Sequence, residues 1–288
     1  MEKSDESDYF NSEKKKKELS RHRSQKVFHF ILETHNNPPK WAVEKLAEKT
    51  GDEVVFLPEV ANKPYHLKLK PGERLGFCFP VHGWRPPTLV RTFIEQLTVE
   101  NIEDSYVYSL VTAGDNIGET IDILRNDLKE RNIPLHSSCS LIMPESYVGL
   151  PFMDVDTKEK EQLKISNADK KLDKFINIVL QRATSNEDLD IGNWPRINSR
   201  IIGGFFHKYL ISDKPFHVTE DKCLHCGKCA KACSVVNIIW HEGEIPSWKQ
   251  DGTCMACFNC YHHCPTHAIE YGSRTKHKGQ YYFGKNKA

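Results

Sequence analysis

Apolar residues fall first into short runs separated by amphipathic stretches, and later into isolated positions between cysteines. Val27 to Leu32, Glu53 to Leu57, Leu75 to Val81, Tyr106 to Val111 and Leu135 to Ile142 are short apolar runs without strict alternation. That is the pattern of strands covered on both faces. The stretches between them repeat with a helical period. Lys40 to Lys49 puts Val43, Leu46 and Ala47 on one face, and Gly51 follows as a stop signal. Leu89, Phe93 and Leu97 stripe the next helix, and Ile117, Ile121, Leu124 and Leu128 another. A last helix within Lys158 to Arg182 turns Leu172, Phe175, Ile176 and Val179 inward. Alternating strands and helices of this kind predict a doubly wound parallel sheet over residues 26–183.

Beyond it the pattern changes. Residues 184–213 show little periodicity, yet Trp194, Ile201, Ile202, Phe205 and Phe206 are too apolar for a free tether. They predict an ordered connector packed between two domains. Over residues 214–273 the apolar segments are very short. Phe216 to Thr219 and Ala268 to Tyr271 read as strands, and Val236 to Trp240, Glu242-Gly243-Glu244 and Pro246 to Trp248 as a hairpin. Residues 1–25 form a charged, solvated tail, and the basic residues 274–288 read as a second one.

The formal net charge of +1 argues against a nucleic-acid-binding protein. No apolar run approaches the roughly 20 residues of a spanning helix. Met1 to Lys17 has no apolar core, so it is not a secretory signal. The expected location is the cytoplasm, where thiols stay reduced and cysteine clusters hold metal more often than disulfides.

The cysteines then decide the chemistry. There are ten, and eight lie between Cys223 and Cys264. Cys223, Cys226, Cys229 and Cys233 form a C-x2-C-x2-C-x3-C run, and Cys254, Cys257, Cys260 and Cys264 repeat it. This is the spacing of bacterial two-cluster ferredoxins, in which the fourth cysteine of each run ligates the other cluster. One [4Fe–4S] cluster is therefore assigned to Cys223, Cys226, Cys229 and Cys264, and the other to Cys254, Cys257, Cys260 and Cys233. The fourth cysteine is expected at the start of a helix that leads away. Structural zinc usually pairs C-x2-C units across a longer gap and fits these runs poorly. Pro265 follows Cys264, but Ser234 follows Cys233, where a hydroxyl or amide can donate toward sulfur. His225, His262 and His263 sit beside the ligands without replacing any of them. Cys78 and Cys139 lie apart, in strands, and read as buried small hydrophobes.

In doubly wound sheets ligands bind beyond the C-terminal strand ends, at the topological switch point. Here that means the loops Glu33 to Pro39 and His82 to Pro87, with Thr112 to Gly118 beside them. The candidate cofactor contacts are Thr34, His35, Asn36, Asn37, His82, Gly83, Trp84, Thr112, Ala113, Gly114 and Asn116.

Together, Gly76-Phe77-Cys78-Phe79-Pro80-Val81, Thr112-Ala113-Gly114, Met143-Pro144-Glu145-Ser146-Tyr147, Asn237-Ile238-Ile239 and the two cysteine runs resemble a known group over Lys26 to Phe283. That group comprises single-chain fusions of a flavodoxin-like domain to a bacterial-type ferredoxin. The resemblance implies a flavodoxin-like α/β sheet followed by a small α+β ferredoxin domain. It also implies cytosolic, often anaerobic electron transfer with a redox partner protein. One stretch departs from the pattern. Flavodoxins cradle the FMN phosphate in a loop like Thr-Gly-Asn-Ser, whereas this chain has Glu33-Thr34-His35-Asn36-Asn37-Pro38-Pro39. Two prolines there lack N–H donors, and Glu33 adds negative charge. Three readings stay open: an electron carrier with two clusters and FMN, a ferredoxin whose flavodoxin-like domain has lost FMN and docks a partner, and a flavin-dependent reductase.

Overall fold

A computed structural model describes residues 28–31, 38–61, 63–186 and 189–284. The charged tail over 1–25 and the loop residues Thr34, His35, Asn36 and Asn37 lie outside them.

The first domain runs β1 (Phe28–Ile31), α1 (Pro38–Thr50), β2 (Glu53–Phe56), α2 (Leu57–Val60), β3 (Tyr65–Lys68), β4 (Arg74–Pro80), α3 (Thr88–Gln96), β5 (Leu97–Glu100), β6 (Tyr106–Ala113), α4 (Thr120–Glu130), β7 (Ser137–Ile142) and α5 (Lys158–Gln181). Five strands pair in parallel in the order β2-β1-β4-β6-β7. This is the 2-1-3-4-5 order of a flavodoxin-like doubly wound sheet. Side chains alternate between faces along each strand. Phe77, Phe79, Val107 and Val111 pack with Val90, Phe93, Ile94, Leu124 and Leu128 on one side. Cys78, Tyr108, Leu110 and Cys139 pack with Leu46, Leu172, Phe175 and Val179 on the other. Each fully buried Leu or Phe contributes about 1.5–3 kcal/mol, so neither layer is dispensable. Burial pushes the Cys78 thiol far above its ordinary range, as expected of an inert core residue.

Three features differ from the sequence expectation. The helix at Leu89 buries Val90, Phe93 and Ile94, and Leu97 already belongs to a strand. That strand, β5, pairs in parallel with β3 outside the main sheet. Both alternate buried or half-buried with exposed positions, so neither stands out as an apolar run.

After the connector helix α6 (Gly203–Tyr209), the second domain contains β8 (Phe216–Val218), a 3-10 turn (Glu220–Lys222), α7 (Lys228–Lys231), β9 (Ile238–Ile239), β10 (Ser247–Trp248), α8 (Asn259–His262) and β11 (Ile269–Tyr271). The expected hairpin forms, with β9 antiparallel to β10, and β8 pairs antiparallel with β11. The repeat in the cysteines is also a repeat in conformation. His225 and Ala256, Gly227 and Phe258, and Val236 and His267 hold matching positions, and all six have left-handed backbones. The short helices run up to the fourth cysteines instead of starting from them. Each is closed by the turn that carries Cys233 or Cys264.

The connector begins as an edge guard. Ser185 bridges to Ser137 on β7, and the Ser138 amide donates to its carbonyl. Asp190 accepts from Ser140 Oγ and Lys171 Nζ, both at 2.8 Å. This covers strand groups that would otherwise invite pairing with another chain. A π-helical turn (Ile197–Ile202) then leads into α6 (Gly203–Tyr209). Phe206 is buried, but Trp194, Ile201, Ile202 and Phe205 are exposed, against the expectation that all pack between the domains.

Residues 274–284 also overturn an expectation, because they pack as a strap. Lys278 Nζ donates to the Val148 and Leu150 carbonyls, Arg274 to Gly149, and the Gly279 amide to Asp154. The strap also meets the second domain. Tyr261 Oη donates to the Lys278 carbonyl, and Gln280 Nε2 donates to the carbonyls of Tyr261 and Cys264. Among the described residues no helix is long and apolar enough to cross a membrane.

Candidate iron–sulfur site and adjoining pocket

The eight thiols sit on two loops related by the repeat. Four backbone amides point at sulfur in matching pairs. His225 donates to Cys223 and Ala256 to Cys254, each at 3.4 Å, while Asn237 donates to Cys233 and Ala268 to Cys264, each at 3.2 Å. Left-handed residues at 225 and 256 turn these amides inward. Amides aimed at sulfur stabilise a thiolate or a metal-bound thiolate.

Thiols from the two cysteine runs lie near one another. Cys223, Cys226, Cys229 and Cys264 line one small cavity with Gly227 and Pro265. Burial pushes the Cys229 thiol up to about 11, and Cys264 and Cys226 add to the rise. Burial likewise lifts Cys254 to about 12, with Cys233 among the neighbours that reinforce it. The Cys260 thiol is pushed up by burial and then by Cys257, Cys254 and Cys233. Thiols held protonated this strongly ionise when a metal takes the proton's place. The donor set of soft sulfurs, with amides directed at it, fits iron–sulfur cubanes.

His262 is buried between the domains. Its Nε2 donates to the Ser146 carbonyl at 2.6 Å, and its Nδ1 accepts from the Tyr281 amide at 3.2 Å. His263 stacks on Tyr282 with ring centroids 4.3 Å apart. His225 bonds through Nδ1 to the Gly243 carbonyl, steadying the loop before Cys226.

A cavity of about 250 Å³ opens at the C-terminal edge of the sheet. His82, Gly83, Trp84, Thr112, Ala113, Gly114 and Asn116 all line it, so every described candidate contact is brought to one place. The ends of β4 and β6 deliver them, and the end of β7 adds Glu145. After β4, His82 and Arg85 exchange backbone hydrogen bonds of 3.0 and 3.1 Å. This closes a two-residue reversal in which Gly83 and Trp84 are both left-handed, with φ 52° and 59°. Ser199 fixes the reversal by donating to the Trp84 carbonyl at 2.8 Å. After β7, Glu145 folds over Gly114. Its carboxylate accepts from the Ser146 and Tyr147 amides, and burial raises its pKa against their pull.

Sequence reasoning missed the opposite wall. Met255, Ala256 and Cys257 of the second cysteine run, Phe206 of α6, and Tyr281 and Tyr282 of the strap complete the cavity. Tyr147 meets Phe206 and Phe258 edge-on, at 5.3 and 5.2 Å. Only the position of Met255 between cysteines could have flagged this wall. The others depend on how the domains dock.

A flavin ring system is tested by the same cavity. Val81, Pro144, Tyr147, Phe206 and Met255 give apolar walls. Two buried polar atoms on residues that line it, Tyr281 Oη and Asn116 Oδ1, have no hydrogen-bond partner among the described residues, and Asn116 Oδ1 lies against Gly192. The apolar walls and the unpaired Tyr281 hydroxyl suit a heteroatom ring. The volume lies just below the roughly 300–1,000 Å³ of small-molecule pockets, so a phosphate tail would have to leave it. No Lys or Arg among the described residues lines it, and Asp115 and Glu145 do.

Residues 216–278 match the family model of the 4Fe-4S dicluster domain. No curated protein matches the chain. Among solved structures it is similar to the Trp repressor binding protein from Bacillus subtilis, at 10% identity over 54% of this chain and 99% of that one, with a TM-score of 0.34. It is also similar to an NADH:FMN oxidoreductase (EmoB) in its apo form, at 11% identity, 58% and 96% coverage and a TM-score of 0.32. Rubredoxin oxygen:oxidoreductase from Desulfovibrio gigas gives 11%, 54%, 37% and 0.28. Superpositions this loose carry no argument about this chain, and the flavodoxin-like strand order stands on its own pairing. The class of protein is thus an iron–sulfur protein with a ferredoxin-type domain joined to a flavodoxin-like α/β domain. That combination supports a role in electron transfer.

Proposed function

We propose that this chain is an electron-transfer protein carrying two [4Fe–4S] clusters, one on Cys223, Cys226, Cys229 and Cys264 and the other on Cys254, Cys257, Cys260 and Cys233. It passes electrons between a redox partner protein and FMN seated in the cavity. The reading rests above all on one observation: Met255, Ala256 and Cys257 form a wall of the cavity at the sheet's C-terminal edge. A cluster on Cys257 would stand beside the pocket's occupant. Bound there, FMN would supply exchange between one- and two-electron chemistry. The Tyr281 hydroxyl would meet its ring edge, and the phosphate tail would extend out of the cavity. The outer cluster has its own exit. Cys226 is exposed, and Leu224 beside it is 64% exposed, which suits a partner's docking face. This reading places the protein in the cytoplasm, where clustered cysteines hold metal more often than disulfides.

Anaerobically purified full-length protein, denatured and assayed for released flavin, is expected to yield about one FMN per chain with about eight iron and eight sulfide, as two cubanes require. Clusters without flavin would leave the docking-module reading in place of the FMN reading. Zinc in place of iron would sink both.

A further inference from the structure

The repeat is broken at one place beside the ligands. Position 234 in the first half corresponds to 265 in the second, and Ser234 stands where Pro265 stands. Ser234 is only 5% exposed, and its Oγ has no hydrogen-bond partner among the described residues. A buried hydroxyl left unpaired is costly, so a site that keeps one has an acceptor for it. Ser234 directly follows Cys233, and the backbone amide of Asn237 is already aimed at the Cys233 sulfur. Beside Asn237 Oδ1, itself unpaired among the described residues, the acceptors that Cys233 brings to this location are the thiolates and sulfides of an iron–sulfur cluster.

The second half has no equivalent donor. Pro265 has neither hydroxyl nor N–H. Thr266 Oγ1 comes within 3.8 Å of Cys264 Sγ, but it gives its proton to the Lys222 carbonyl at 2.7 Å. The amide donors, by contrast, are matched between halves. The extra hydroxyl is therefore an asymmetry between two otherwise equivalent sulfur environments.

Resting on the two-cluster reading above, we propose that Ser234 Oγ donates a hydrogen bond to the cluster held by Cys233, Cys254, Cys257 and Cys260, the one that walls the pocket, and raises its reduction potential. The added electron increases negative charge on sulfur, so a donor favours the reduced state more than the oxidised one. Ser234 acts here through the cluster, as a positioning and tuning residue.

The test is an anaerobic potentiometric titration of full-length holoprotein, followed by EPR, for the parent and for Ser234→Ala, Ser234→Pro and Ser234→Thr. Iron and sulfide are measured in each. The expected result is that alanine and proline shift one of two potentials to more negative values and leave the other unmoved. Threonine, which keeps the hydroxyl, should stay near the parent value. Cluster content should be unchanged throughout, because ligation does not involve residue 234. A parent with two cubanes whose potentials ignore Ser234→Ala overturns this proposal alone. Equal shifts of both potentials also overturn it, since the effect would then be a general loosening. A parent without two cubanes overturns the underlying reading, and this proposal with it.

Discussion

A Cys264→Ser protein is expected to leave the same residual cluster spectrum as Cys223→Ser, although the two residues belong to different halves of the repeat. Cys233→Ser should in turn match Cys254→Ser. The geometry behind this is specific. Cys264 shares a cavity with Cys223, Cys226 and Cys229. It is also the thiol neighbour that, after burial, does most to raise Cys229. Cys233 stands in the same relation to Cys254, and it raises Cys260 after Cys257 and Cys254. Losing one thiolate from a set of four removes or degrades that cubane, so iron should fall from about eight toward four per chain. Low-temperature EPR of the reduced proteins checks the pairing, because isolating either cluster abolishes its spin coupling to the other. If Cys223→Ser instead matched Cys233→Ser, ligation would be confined within each half and the crossed assignment would be wrong. Serine is preferred to alanine because a small domain stapled by its clusters loses folding energy with its metal.

This site was legible because its chemistry is local in sequence. Two residues between cysteines fix how a loop can wrap a cubane, whatever surrounds it. The sheet was legible for a related reason, since strands such as Arg74–Pro80 and Tyr106–Ala113 are buried on both faces and leave almost unbroken apolar runs. The signal fades where one face meets water. Tyr65–Lys68 and Leu97–Glu100 alternate, and a helical stripe through Leu89, Phe93 and Leu97 absorbed the second of them. It disappears where a residue's role depends on a distant segment. Nothing local distinguishes Tyr281, in a basic C-terminal stretch, from a solvated tyrosine. It lines the cavity because Lys278, Arg274 and Gly279 tie that stretch to carbonyls and a carboxylate at residues 148–154. Trp194 and Phe205 mislead in the opposite direction. Their apolarity suggested burial, yet they lie on the outer side of the connector, and only Phe206 turns in.

The connector's two adjacent glycines should respond to alanine with opposite signs. Both lie at the start of α6, where alanine is favoured over glycine by about 1 kcal/mol. At Gly204 a methyl group would meet only Arg85 Nη1, at 3.6 Å, an ordinary contact. Gly204→Ala should therefore be neutral or stabilise the protein by up to that amount. At Gly203 the methyl would overlap the carbonyl oxygen of Gly83 and press on that of Asn198 at 3.0 Å. Those are backbone atoms, which no rotamer change can move aside. The Gly83 carbonyl belongs to the reversal that His82 and Arg85 lock and Ser199 clamps, so one must give way. Overpacking of this kind costs about 1–3 kcal/mol, enough to outweigh the gain in helix propensity. Because Phe206 leaves the same helix to lie against Gly83 and Tyr147, the displacement also loosens one wall of the cavity. Thermal unfolding of the holoproteins under anaerobic conditions checks the sign. Gly203→Ala should melt several degrees below the parent, at roughly 2–4 °C per kcal/mol for domains of this size, and Gly204→Ala at or above it. Flavin release from Gly203→Ala on dilution should be faster than from Gly204→Ala, since only the first moves Phe206. Equal behaviour of the two variants would mean that α6 is not seated on the reversal after β4, and that the connector does not help to close the pocket.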